Sequence, residues 1–402
     1  MTKPNLKATL FCVMHRNILR TIGAVALLCF LLLPVSGVAA KPGGQSYIVY
    51  IGTYTHTESK GIYAYRFSPA TGEIVSLGLA AETAHPSYLL MHPNHRFLYA
   101  VNEHESKTEP GNTVSAFAMD TKTGKLRFLN RVSSKGIGPC HIAIDMTGKF
   151  LAVGNFGSGS VATLPIHSDG SLGEASAFIQ HVGKSVDPVA QAGPHAHSVA
   201  FSPDNRFLVV ADRGLDKVMV YRFNHSTGAL EPNDPPFVAT QPGEGPRHLA
   251  FSPNGKYLYV ITELKSSLIT FEYDAAHGSL KEVQSISALP AGFSGKSSSA
   301  EIQVDGAGKF VYVSNRGDDS IGVFAIDPRN GMLTPVEFDS TQGKTPRNFS
   351  IDPTGEYLIA ANQNSATVVV YRRDPATGKL MPTGQVLKEA TEPSCVTFVA
   401  SK

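Results

Sequence analysis

Tryptophan is absent from this 402-residue chain, cysteine occurs four times, and only 17% of the residues are charged. So little charge beside a hydrophobic fraction of 42% excludes a disordered chain and leaves apolar matter for a sizeable core. Cys12 and Cys29 fall within the first 40 residues, and Cys140 and Cys395 lie far apart. That excludes a disulfide framework, and no Cys/His spacing resembles a zinc site. Cys140 and Cys395 read as small buried residues, and no metal or cofactor is expected. Acid is missing from residues 1–40, which carry Lys3, Lys7, Arg16 and Arg20. The remaining 31 basic and 33 acidic residues form a near-neutral body without the basic stripe that nucleic acid would need.

Long apolar runs are scarce too. Ile22 to Leu33 follows Arg16 and Arg20, is broken by Pro34, and leads to Val38-Ala39-Ala40, with small residues at −3 and −1 of a cut after Ala40. This is the pattern of a secretory signal peptide, and the run falls short of the ~20 apolar residues of a membrane span. The expected organisation is a signal peptide at 1–40, a linker at 41–45 and one folded domain at 46–402. The mature protein is expected to be periplasmic or secreted, monomeric and without a membrane anchor.

What is abundant is turn and strand material: 37 glycines, 26 prolines, 21 phenylalanines and 14 tyrosines. The chain repeats itself. A turn, a basic or acidic residue, an aromatic and a strand recur, as in His92-Pro93-Asn94-His95-Arg96-Phe97 and Ser202-Pro203-Asp204-Asn205-Arg206-Phe207. The aromatic falls at Phe97, Phe150, Phe207, Tyr257, Phe310 and Tyr357, a period of about 50. A polar-Gly turn marks seven copies, at Gly72, Gly124, Gly170, Gly228, Gly278, Gly331 and Gly378. Stretches such as Lys217–Tyr221 alternate with period two, and no helix is evident after residue 40. Seven units of about 50 residues with four short strands each predict an all-β, seven-bladed β-propeller with antiparallel blades. A two-sheet sandwich would not explain so regular a period. The first copy opens at Ser46 with a second strand, and Cys395–Val399 reads as its missing innermost strand. Pairing of the two chain ends therefore closes the ring and removes an exposed edge.

A propeller concentrates unlike side chains at the mouth of its central channel. Entering the inner strands are Ser87, His141, His195 with His197, Arg247 with His248, Glu301, Arg347 with Asn348, and Ser394. Leaving the second strands are Tyr54, Asn102 with Glu103, Asn155, Asp212 with Arg213, Glu263, Asn315 with Arg316, and Asn362 with Gln363. Flanking positions repeat, as in the Gly-Pro before His141, His195 and Arg247, whereas these residues vary between blades. Variation at equivalent points is expected of a site rather than of scaffold. Other motifs fail: Gly295-Lys296-Ser297 lacks the first glycine of a phosphate loop, since position 290 is proline. Gly157–Ser160 has no helix to make a nucleophile elbow. His92, His95 and His104 read as solvated turn residues.

Tyr50-Ile51-Gly52-Thr53-Tyr54-Thr55, Gly193-Pro194-His195-Ala196-His197, Gly245-Pro246-Arg247-His248 and Ser314-Asn315-Arg316-Gly317 resemble the seven-bladed propeller lactonases, from about Tyr47 to Phe398. That family includes bacterial 6-phosphogluconolactonases of propeller type and carboxy-cis,cis-muconate cyclase. The resemblance implies a channel-mouth cluster of His, Arg and Glu, here His195, Arg247, Glu263 and Arg316. His197, His141, Arg347, Glu301, Asp212 and Asn315 are expected to bind substrate. Alternation along a strand aims His195 and His197 the same way, so the sequence leaves that choice open.

Opening a lactone needs a base for water, donors for the oxyanion and an acid for the leaving alkoxide. Glu263 is expected to be the base, Arg247 and Arg316 the electrostatic clamp, and His195 the acid or donor. The expected function is a lactone hydrolase of 6-phosphogluconolactonase type acting on a small-molecule lactone. A lactonizing enzyme of muconate type and a non-catalytic exported propeller are the alternatives.

Overall fold

A computed structural model describes residues 46–104 and 112–401. The expected signal peptide and linker, with Cys12 and Cys29, lie outside the described residues. Within them, 28 strands form seven four-stranded antiparallel sheets, and there is no α-helix. The inner strands of blades 2 to 7 are Leu89–Met91, Pro139–Ile144, Ala196–Phe201, Pro246–Phe251, Ser298–Val304 and Pro346–Ile351. Their second strands are Phe97–Asn102, Phe150–Asn155, Phe207–Asp212, Tyr257–Thr262, Phe310–Arg316 and Tyr357–Asn362.

Blade 1 joins the chain ends. Pro393–Ala400 is its innermost strand and pairs antiparallel with Tyr47–Thr53, from Tyr47 opposite Ala400 to Gly52 opposite Cys395. All seven residues of Tyr47–Thr53 are buried.

The composition of each strand follows from what covers it. Second strands such as Phe97-Leu98-Tyr99-Ala100-Val101-Asn102 are buried at every position, because a neighbouring blade covers each face. Outer strands such as Leu126–Ser133 expose several positions. The core is thus a set of apolar layers between blades. One joins Val49 and Tyr65 of blade 1, Ile359 and Val370 of blade 7, and Phe398 of the closing strand.

The two sequence markers turn out to be one contact. The turn glycine of one blade lies on the repeat aromatic of the blade before it. A Cβ on Gly170 would come within 2.3 Å of the Phe97 ring, and one on Gly278 within 2.5 Å of Phe207. Gly278 also has φ +65°, a left-handed conformation that glycine adopts without strain. His92 is not solvated as expected. It is buried, and its Nε2 lies 2.9 Å from the Gly148 carbonyl of the next blade.

Candidate active site

Two strand ends per blade build the channel mouth, and local backbone geometry decides which side chains reach it. Near the ends of the second strands one position per blade is scaffold in most blades. Asn155 Nδ2 donates to Ser134 O and Ser160 Oγ, Asn315 Nδ2 to Ala288 O and Ser320 Oγ, and Asn362 Nδ2 to Thr341 O and Thr367 Oγ1. Each ties its strand to the crossover entering the blade. Asp212 does the same work in blade 4. Its Oδ1 accepts from the backbone N–H groups of His195, Gly214 and Leu215, and its Oδ2 faces His181 Nδ1. Asp212 and Asn315, expected to bind substrate, are therefore fully buried with scaffold partners. The recurrence of Asn at 102, 155, 315 and 362 was the available sign. The residue after each of these positions varies: Tyr54, Glu103, Phe156, Arg213, Glu263, Arg316 and Gln363.

The inner strands carry a β-bulge at the same end. Pro246 pairs with Thr262 and His248 with Ile261, leaving Arg247 as the extra residue. Cys140 and Arg347 are the extra residues of blades 3 and 7. In blade 4, Ala196 pairs with Asp212 and Ser198 with Ala211, so the extra residue is His197. A bulge breaks the alternation and re-aims one side chain. The Gly193-Pro194 pair is offset by two residues from its counterparts, with Ala196 in the place held elsewhere by Pro139 and Pro246. That offset puts His195 outside the cluster. Its ring stacks on Phe156 with centroids 4.5 Å apart, and its Nδ1 lies 2.9 Å from the Phe156 carbonyl.

Glu263 is the centre of the mouth. Its Oε2 receives Arg247 Nε at 2.9 Å and lies 3.2 Å from Arg316 Nη2, and its Oε1 lies 2.8 Å from Arg213 Nε. His197 Nε2 is 4.0 Å from Oε2. The guanidiniums are fixed in turn by backbone carbonyls: Arg247 Nη1 donates to Ala300 O at 2.7 Å, Arg316 Nε to Ser298 O at 2.9 Å, and Arg213 Nη1 to Ala190 O at 3.0 Å. Arg213 appeared among the mouth residues in the sequence but without a role. Burial opposes the charge of Glu263, yet Arg316, Arg247, Arg213 and Arg347 outweigh it and hold its carboxyl down to about 2. Burial and the neighbouring Arg247 bring Arg316 down to about 9. Both oxygens of Glu263 are engaged and its proton affinity is low. This carboxylate organises arginines, which is a poor starting point for the general base expected from the sequence.

Arg347 stands beside this cluster with a different partner. Its Nη2 donates to Tyr54 Oη at 2.6 Å, and Tyr54 donates to Glu103 Oε2 at 2.7 Å. Behind them is a third group. Glu301 accepts from Asn348 Nδ2 and from the N–H of Ile302, and its Oε2 lies 3.3 Å from His248 Nδ1. The His248 ring centroid is 5.0 Å from that of His141 and 5.1 Å from that of His197. Burial raises the Glu301 carboxyl to about 7, against the pull of His141 and Arg247. Burial, then Arg247, holds His197 and His248 well below the usual imidazole range, so both are neutral at pH 7. Among the described residues, no group of three or more His, Cys, Asp or Glu is placed to hold a metal ion. Cys140 and Cys395 are both free and buried.

A ring of sheets that concentrates its unlike side chains around one charged, enclosed mouth belongs with the propeller enzymes. Comparison with known proteins narrows this. Residues 48–398 match the family described as "Lactonase, 7-bladed beta-propeller", and the chain belongs to that family. It is therefore a lactone-opening carboxylic ester hydrolase. It is 37% identical to the 6-phosphogluconolactonase of Bacillus subtilis over 303 residues, covering 75% of this chain and 84% of that protein. Among solved structures it resembles the periplasmic gluconolactonase of Pseudomonas aeruginosa, with 36% identity and a TM-score of 0.83, over 89% of this chain and 100% of that one. A putative 6-phosphogluconolactonase from Bacteroides uniformis gives 37% identity and a TM-score of 0.82, over 88% and 99%.

Proposed function

We propose that the protein is an exported hydrolase that opens a sugar lactone by attack of water at the channel mouth. The observation that carries this reading is the convergence of Arg213, Arg247 and Arg316 on Glu263, within 3.2 Å and screened from solvent. Charge develops on the carbonyl oxygen as the tetrahedral intermediate forms, and fixed guanidiniums stabilise it strongly at a site shielded from water. Glu263 keeps three like charges together before substrate arrives. The neutral His197 imidazole, 4.0 Å from the Glu263 carboxylate, would hydrogen-bond the reacting ester. The hydrolase names of the relatives favour this over the lactonizing and non-catalytic readings.

In this reading residues 1–40 are removed on export and 41–45 form a linker. The catalytic unit is a monomer of the propeller domain, and its partner is a small lactone rather than nucleic acid or membrane. The pattern of Arg16, Arg20, Ile22–Leu33 and Val38-Ala39-Ala40 supports export, as does likeness to a periplasmic relative. A pH-stat assay of the purified protein against δ-gluconolactone, its 6-phosphate and a muconate diacid tests the activity. Acid release from at least one sugar lactone is expected. Inertness to both sugar lactones, or action on the diacid alone, would overturn the reading. N-terminal sequencing of protein recovered from the periplasm or medium is expected to start at Lys41, and an intact Met1 there would refute cleavage.

A further inference from the structure

Beside the arginine cluster lies a small chamber whose walls include Tyr88, His197, Arg247, His248 and Arg347. Its volume is about 10 Å³, room for about one water molecule. Arg247 and His197 reach from its wall to Glu263, so the chamber adjoins the place where the ester carbonyl would meet the clamp. His248 occupies the wall as well, and Glu301 stands directly behind it at 3.3 Å from Nδ1. The two residues hold equivalent positions in adjacent blades, each at the bulge of its inner strand. Glu301 has no Lys or Arg within ion-pair distance among the described residues, unlike Glu263. A carboxylate paired with one ring nitrogen fixes the tautomer and stabilises the imidazolium when the other nitrogen takes a proton. Such contacts are often poorly aligned before substrate binds, and here Nδ1 lies 3.3 Å from the carboxylate without making a hydrogen bond to it.

We propose that this chamber seats the attacking water and that His248, oriented by Glu301, is the general base of the reaction. The assignment rests on the lactonase reading above. His248 Nε2, the nitrogen turned away from Glu301, takes a proton from the water as its oxygen bonds to the lactone carbonyl carbon. The carbonyl electron pair moves to oxygen, facing Arg247 and Arg316. Collapse re-forms the carbonyl and breaks the ring C–O bond, and the alkoxide takes its proton back from the imidazolium. Lactone and water give one hydroxy acid with no other reactant. Glu301 is a positioning residue here, and His248 a catalytic one.

The charged and titratable groups facing Glu301 are His141, Arg247, Tyr88 and Cys395, and those facing His248 are Arg247, Arg347, Arg316, Glu263, His141, His197 and Tyr88. Only ionised Glu301 can stabilise the imidazolium. Its carboxyl titrates near 7, so kcat/KM rises as pH increases through that value. The experiment compares wild type, Glu301→Gln, Glu301→Asp and His248→Gln, each checked for native melting. We expect His248→Gln to lose ~10²–10⁴-fold in kcat. Glu301→Gln should lose kcat with little change in KM and flatten the rise near pH 7, and Glu301→Asp should restore part of both. A His248→Gln enzyme with wild-type kcat, or a Glu301→Gln enzyme that keeps the rise, overturns the assignment. An NMR readout of the His248 ring needs no substrate: its shifts should report the ionisation of Glu301 as a step near pH 7, and that step should vanish in Glu301→Gln. A persistent step refutes the pairing, whereas inertness of the wild type to every lactone refutes only the hydrolase reading.

Discussion

Glu263→Gln is expected to reduce kcat/KM for δ-gluconolactone opening by ~10²-fold or more, the scale of loss when a catalytic constellation is misplaced by about 1 Å. The amide keeps the shape of the carboxylate and loses its charge. Arg213, Arg247 and Arg316, each within 3.2 Å of it, then face one another without a counter-ion. They separate toward solvent or toward their backbone acceptors, and the fixed clamp is lost. Removing one partner of a buried pair costs about 3–5 kcal/mol, an upper figure here because the Glu263 side chain keeps 14% of its exposure. A lowered melting temperature should therefore accompany the loss of rate, and rates are to be taken well below it. Arg247→Ala should produce a loss of similar size, and the double variant should lose much less than the sum, because both changes dismantle one cluster. Full activity and unchanged melting in both single variants would show that this cluster has no part in the reaction.

Ending the chain after Glu392 is expected to abolish folding. The strand Pro393–Ala400 would be lost, and with it Cys395, Val396, Phe398 and Val399 from the layers on either side of blade 1. Burial of a large apolar side chain is worth about 1.5–3 kcal/mol. Three or four of them approach the 5–15 kcal/mol by which a typical domain is stable. The cut also bares the edge of Tyr47–Thr53, seven buried residues, to pairing with other chains. The shortened protein should appear in the insoluble fraction, without the cooperative thermal transition of the full chain. A soluble product with native melting would mean that the ends are not what closes the ring.

The blade count was legible because it rests on local, repeated signals. Gly278 needs a left-handed backbone, Phe207 needs a layer to fill, and both needs recur about every 50 residues. The site was legible only as a pool. Glu263, Arg247 and Arg316 were singled out together and converge within 3.2 Å. His195 and His197 could not be separated, because strict alternation holds only where a strand has no bulge. Asp212 and Asn315 looked like mouth residues because they lie at or next to strand ends there. Their partners, the His195 N–H and the Ala288 carbonyl among them, are invisible until the crossovers are placed.

By itself the sequence determined the architecture and the pool of polar residues at the mouth. Period-two alternation and turn glycines are properties of neighbours along the chain, and the split first blade follows from counting the repeats they mark. Tertiary structure alone decided which members of that pool meet and in what charge state. Glu263 near 2 and Glu301 near 7 are the same residue type at one end of one ring. They differ because guanidiniums from three blades touch the first, whereas burial of the second outweighs the pull of His141 and Arg247, a difference of environment that no spacing in the chain records.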